Sequence, residues 1–118
     1  MKGAWTVRLV AVSEQDYLEI IKRSAQDFDA IQAKVYAETL AMAMNALHLE
    51  GPEAIGVKAR EEIGHGIFTL HAATHKRKAR HFLVFRVLEI QTIEILRILH
   101  DRMDLARHLP LVREQTRH

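Results

Sequence analysis

The sequence predicts an α+β domain: an N-terminal strand, a two-helix hairpin packed on an antiparallel sheet, a C-terminal three-strand meander and a short final helix. Three observations predict it. Trp5-Thr6-Val7-Arg8-Leu9-Val10 alternates apolar and polar side chains and then turns wholly apolar, as a half-buried strand does. Two long segments follow with apolar residues at helical spacing. After Gly66 come three apolar segments joined by short links, the pattern of an antiparallel meander.

The first helix is expected to begin at Ser13, with Asp16 three residues on as in a capping box. Its apolar stripe runs through Tyr17, Ile20, Ile21, Ala25 and Phe28. Asp29 can accept from free first-turn amides and so start the second helix. Ala33, Tyr36, Ala37, Leu40, Met44 and Leu47 form that helix's inner face, and Gly51-Pro52 ends it. Phe28, Met42 and Met44 read most simply as core. Both helical stripes have a second use, as surface left open for a docking partner segment.

Ile67 to His71 reads as a strand and His75-Lys76-Arg77-Lys78 as a basic turn. His81 to Leu88 is apolar on both faces, hence a central strand. Glu89-Ile90-Gln91 makes a tight connection to a strand over Thr92 to Leu99. Asp101 is placed to cap a last helix through Leu109, stopped by Pro110. The reading is one domain over residues 1–110 with a flexible tail at 111–118. Ala33, Leu40, Leu47, Leu83, Phe85, Ile95 and Ile98 are its expected buried core.

Composition narrows the function classes. The chain has no cysteine, which excludes disulfides, thiolate catalysis and cysteine-based zinc sites. No apolar leader follows Met1-Lys2, and the uncharged stretch Thr39 to Leu49 is too short to span a bilayer. A cytoplasmic location without membrane contact is expected. Net charge is +2 but uneven: residues 1–56 carry 5 Lys/Arg against 8 Asp/Glu, and residues 57–118 carry 12 against 7. That tilt is either an ordinary solvated surface or a face for an acidic partner.

One stretch carries a resemblance. Ile93-Glu94-Ile95-Leu96-Arg97-Ile98-Leu99-His100-Asp101-Arg102-Met103-Asp104-Leu105 is similar to the ending of plasmid-stabilisation toxins. Gly56-Val57-Lys58, Glu62-Ile63, Gly66 to Leu70 and Arg80 to Arg86 precede it in the same family's order. The chain thus resembles the RelE/ParE toxins over about residues 5–110. The resemblance implies the toxin of a type II toxin–antitoxin pair, held inactive by a cognate antitoxin in a heterotetramer or larger complex. The RelE branch cuts messenger RNA on the ribosome. The ParE branch poisons DNA gyrase by binding it.

The two branches differ in residues. The nuclease branch places a Tyr or His-Tyr pair near the chain end and an Arg before the apolar triplet of the central strand. Here His100-Asp101 stands at the first place and Phe82, before Leu83-Val84-Phe85, at the second. The resemblance therefore lies nearer ParE, a protein inhibitor rather than an enzyme. For the nuclease alternative the candidate groups are Arg80, Arg86, Arg97 and His100. Candidate partner-binding residues are Lys76, Arg77, Lys78, Arg80, Arg97, His100 and Arg102.

Each candidate has a plainer reading beside it. Arg80, Arg86 and Arg97 are either internal salt-bridge partners of Glu62, Glu94 or Asp104, or a cationic patch with bidentate donors. His100 is either an acid–base group or a junction histidine bonded to backbone. Lys76-Arg77-Lys78 is either a solvated loop or a contact for acid. No cofactor or metal is expected, since His71 and His75 lack a third ligand in register.

Overall fold

The computed structural model describes residues 3–103. Strand β1 (Thr6–Leu9) leads into helices α1 (Ala11–Asp27) and α2 (Ala30–Glu50). A short 3₁₀ turn, Gly51–Glu53, then precedes β2 (Lys58–Ala59) and β3 (Ile67–His71). A second 3₁₀ turn, Ala72–His75, leads to β4 (His81–Leu88) and β5 (Thr92–His100). The five strands lie in the order β1-β5-β4-β3-β2. The final helix expected over 101–109 and the tail at 111–118 fall, beyond Met103, outside the described residues.

The α+β architecture is as expected, with two differences in the sheet. β1 joins it parallel to β5, pairing Thr6 with Thr92 and Leu9 with Ile95, so the sheet is mixed. The long connection that a parallel pair needs runs through both helices and then β2 to β4. The two-residue β2, too short to show a period, extends the other edge against Phe68 and Thr69.

All seven expected core residues are buried. Leu40, Ala43 and Leu47 of α2 pack on Leu70, Leu83, Phe85, Ile93, Ile95 and Ile98. Ile63, Ile67, Val84, Leu96 and Leu99 form a second cluster on the opposite face. Covering both faces explains why β4 and β5 are apolar almost throughout. Ile95 and Ile98 share one cluster although three residues apart. The register slips there: Val84 pairs with Arg97 and Phe85 with Ile95, leaving Leu96 as the extra residue of a bulge.

Helix ends follow local chemistry. Asp29 Oδ1 accepts from the Gln32 amide at 2.7 Å, the cap expected for α2. Gly51 closes that helix with a φ of 63°, and a Cβ there would run into the Trp5 ring. The expected start of α1 is corrected. The helix begins at Ala11, and Ser13 lies inside it, buried, with its Oγ 2.7 Å from the Ile95 carbonyl. Ser13 and Asp16 serve the sheet instead of the helix end. β5 outruns β1, and α1 covers the bare edge: Asp16 Oδ2 accepts from the Ile98 amide at 3.0 Å.

The helical stripes are only partly inside. Tyr17, Ile20, Ile21 and Met44 pack against the core, but Ala25 and Met42 are exposed and Phe28 is 73% accessible. Ala25 and Phe28, at the end of α1, are not among the residues packed on the core. Ile31, Val35, Met42 and Leu49 are also exposed, and successive 100° steps put them on one line along α2. α2 is thus apolar on two faces, one of them uncovered.

Candidate functional site

The ends of β4 and β5 and the flank of α1 enclose an open cleft of ≈ 750 Å³. Arg80, Arg97, His100 and Arg102 all line it, together with Tyr36, His81 and Arg23. Cross-strand pairing sets His81 opposite His100, with ring centroids 5.1 Å apart at 78°. Tyr36 arrives from the inner face of α2 and meets His81 edge-on at 5.6 Å.

Hydrogen bonds tie this cluster together. The Arg80 amide donates to Tyr36 Oη at 2.9 Å, and Tyr36 Oη lies 2.6 Å from His81 Nδ1. The phenol has one proton, and directing it to His81 Nδ1 would leave that ring's own proton on Nε2. The Arg102 amide donates to His100 Nδ1 at 3.0 Å, and the Ala73 amide donates to His71 Nδ1 at 3.0 Å. At His100 and His71 these amides make Nδ1 an acceptor and leave the ring proton on Nε2. The His71 proton goes to Asp101 Oδ2 at 3.0 Å.

Charges respond to these surroundings. Burial, aided by the neighbouring His100, pushes His81 down to about 4, so this ring is neutral near pH 7. Burial also raises the Tyr36 phenol above its ordinary value. The hydrogen bond from His71, with Arg80 nearby, holds the Asp101 carboxyl below the usual range. Asp101 Oδ1 is buried without a hydrogen bond, 3.3 Å from Arg80 Nε.

The candidate arginines divide. Arg97 Nε donates to Asp16 Oδ2 at 2.8 Å and Arg86 Nη2 to Glu94 Oε1 at 2.6 Å. Glu94 also takes Arg8 Nη2 at 2.6 Å, and these hydrogen bonds outweigh burial and lower its carboxyl. Of the acidic partners expected for the strand arginines, Glu94 is correct for Arg86. Arg97 chooses Asp16 and Arg80 chooses Asp101 instead, because α1 and the end of β5 bring those carboxylates closer. Glu62 pairs with Arg60, and Asp104 lies outside the described residues.

The basic turn stands apart from the cleft. Lys76, with a φ of 61°, and Lys78 are exposed. Arg77 folds back on α2, donating to Thr39 Oγ1 at 3.1 Å. Arg86 likewise does not reach the cleft. Among the described residues no group of three metal-ligating side chains occurs, and no helix is long and apolar enough to cross a membrane.

Residues 7–105 match the sequence model of a family described as the ParE toxin of the parDE type II toxin–antitoxin system. The chain belongs to the ParE toxin family. Two solved structures share the fold of this ParE-family chain. One is from a chromosomal ParDE system of P. aeruginosa, at 18% identity and a TM-score of 0.65, covering 82% of this chain and 96% of that one. The other is from the toxin–antitoxin complex RelBE2 of Mycobacterium tuberculosis, at 23% identity and a TM-score of 0.56, covering 85% and 94%. No curated protein matches.

Sequence reasoning missed Tyr36, His81, His71, Asp101 and Asp16 as members of this ParE-family site. Tyr36 gave one usable signal, a hydroxyl on the inner face of an otherwise apolar helix. Such a group needs a buried partner. The site thus has a tyrosine after all, brought by α2 and not by the chain end.

Proposed function

We propose that this chain is a toxin that acts by binding DNA gyrase and is neutralised by a cognate antitoxin. The observation that carries the reading is that, of the four candidate nuclease groups, one lies outside the cleft and two are engaged within the fold. Arg86 lies away from the cleft on Glu94, and the Arg97 guanidinium is engaged by Asp16. His100 Nδ1 is occupied by backbone. RNA cleavage needs groups free to move a proton and to stabilise charge on phosphate. A binding protein needs only a surface.

The uncovered apolar line of α2 supports an antitoxin that docks as an amphipathic segment, in a heterotetramer or larger complex. Both ParDE and RelBE2, which share the fold, are toxin–antitoxin systems. A second reading, ribosome-dependent cleavage of messenger RNA, draws on the Tyr36–His81 pair beside His100.

The deciding experiment is induction in growing cells with two readouts, gyrase–DNA cleavage complexes and cut ribosome-bound messenger RNA. The inhibitor reading expects cleavage complexes with intact RNA, and growth restored by the neighbouring small gene product. It also expects His100→Gln to keep most of its toxicity, whereas a general acid or base would lose about 10²–10⁴ in rate. Cut RNA, abolished by His100→Gln, would establish the nuclease instead.

A further inference from the structure

The cleft is more than a gap between α1 and the sheet. The Arg102 amide occupies His100 Nδ1 and leaves that ring an Nε2–H; a Tyr36 proton directed to His81 Nδ1 leaves His81 the same. Neither Nε2–H has an acceptor among the described residues, and both rings line the cleft. Arg80 stands beside them with its side chain 57% accessible, and its Nη groups make no hydrogen bond among the described residues. Two imidazole donors and the Arg80 Nη groups line one cleft without an acceptor among the described residues, while Arg80 Nε stands 3.3 Å from Asp101 Oδ1. Such a set suits an oxygen carrying negative charge.

The rest of the lining selects the kind of anion. Glu19 and Asp27 also border the cleft, so a polyanion would meet repulsion. Ile20, Phe28 and Met103 supply apolar surface in the same walls. Phe28 lies at the rim, and Ile31, three residues on and equally exposed, begins the uncovered line of α2. Apolar surface therefore leads from the hairpin towards the donors.

We propose that the cleft binds a carboxylate side chain of a protein segment, held by His81 Nε2–H, His100 Nε2–H and Arg80, with the segment's apolar neighbours lying on Ile20, Phe28 and Met103. This rests on the reading that an antitoxin segment docks on α2, continues that segment past Phe28 into the cleft, and gives it its chemistry: an Asp or Glu flanked by apolar residues. Phosphate is the competing acceptor.

The test uses the full chain with ¹⁵N-labelled histidine and three probes: N-acetyl-Leu-Glu-Leu-amide, its Gln counterpart and inorganic phosphate. Long-range ¹H–¹⁵N spectra report tautomer and binding together. Both rings are expected as Nε2–H tautomers whose signals shift saturably with the Glu peptide. The Gln peptide should bind about tenfold weaker or more. His100→Phe should remove most of that difference.

An Nδ1–H tautomer at either ring would overturn the proposal. So would equal binding of the two peptides, absence of a shift with millimolar Glu peptide, or a larger response to phosphate. These readings do not depend on toxicity. A chain that fails to arrest growth refutes the toxin reading and leaves the histidine result to stand alone.

Discussion

Asp16 stands to Ile98 as a neighbouring strand would, its Oδ2 accepting the Ile98 amide at 3.0 Å while Arg97 Nε reaches the same oxygen at 2.8 Å. One carboxylate thus satisfies a bare strand edge and neutralises an arginine whose side chain is only 13% accessible. Asp16→Ala leaves both donors without a partner and should lower unfolding stability by about 3 kcal/mol. Asp16→Asn keeps an acceptor for Ile98 and should lose less. Urea unfolding midpoints of the two variants check the order. Equal losses would show that the backbone contact contributes nothing.

Glu94 joins three strands by accepting from Arg8 of β1 and Arg86 of β4. The two arginines are not equal partners, being 60% and 25% accessible. Solvent screens Arg8 more, so Arg8→Ala should reduce stability by less than about 1 kcal/mol and Arg86→Ala by about 2. Glu94→Gln, which strands both cations, should exceed either. The same unfolding assay reads all three, and a larger effect for Arg8→Ala would contradict the accessibility argument.

At the β4–β5 turn, Ile90 and Gln91 have φ values of 60° and 48°, left-handed conformations that a β-branched residue adopts poorly. Ile90 is 91% exposed and gives up little by replacement. Ile90→Asn should therefore stabilise the chain by about 1 kcal/mol. A rise in thermal midpoint supports this. A fall would mean the Ile90 side chain holds a contact of its own.

His81 sets a pH dependence. Its folded value near 4 lies below the ordinary 6.5, so from pH 6.5 down to about 4 the unfolded chain takes a proton that the folded chain refuses. Stability should fall with acid across that window, by about 1–2 kcal/mol after allowance for partial exposure. Glu94 and Asp101, both lowered, contribute their stability above the ordinary carboxylate range and lose it at lower pH. His81→Asn keeps an acceptor for Tyr36 without titrating, and its urea midpoint should vary less between pH 6.5 and 4. An unchanged slope would place the titration elsewhere.

Local rules made much of the fold legible. Asp29 and Gly51 mark the ends of α2 by backbone chemistry, and apolar periodicity finds β3, β4, β5 and their buried residues. Phe28 and Met42 show where it stops, since an apolar residue on a helix can face a core or open surface with the same spacing. The parallel partner of β1 and the edge role of Asp16 depend on residues more than 75 positions away, and no local window contains them. At the candidate site, His100 and the arginines were visible as residue types. Their partners were not, because Tyr36, His81 and Asp16 come from separate elements.

The pairing of β1 with β5 has a consequence for the order of assembly. During synthesis Thr6 to Leu9 leave the ribosome more than 80 residues ahead of the strand they pair with. Until Thr92 to His100 follow, Arg8 lacks Glu94, Asp16 lacks Arg97, and the helical hairpin lacks Ile93, Ile95 and Ile98 to pack on. Contacts of such sequence separation form late, after most of the loop-closure entropy has been lost. A nascent or prematurely ended chain therefore has neither the cleft nor the α1-capped edge.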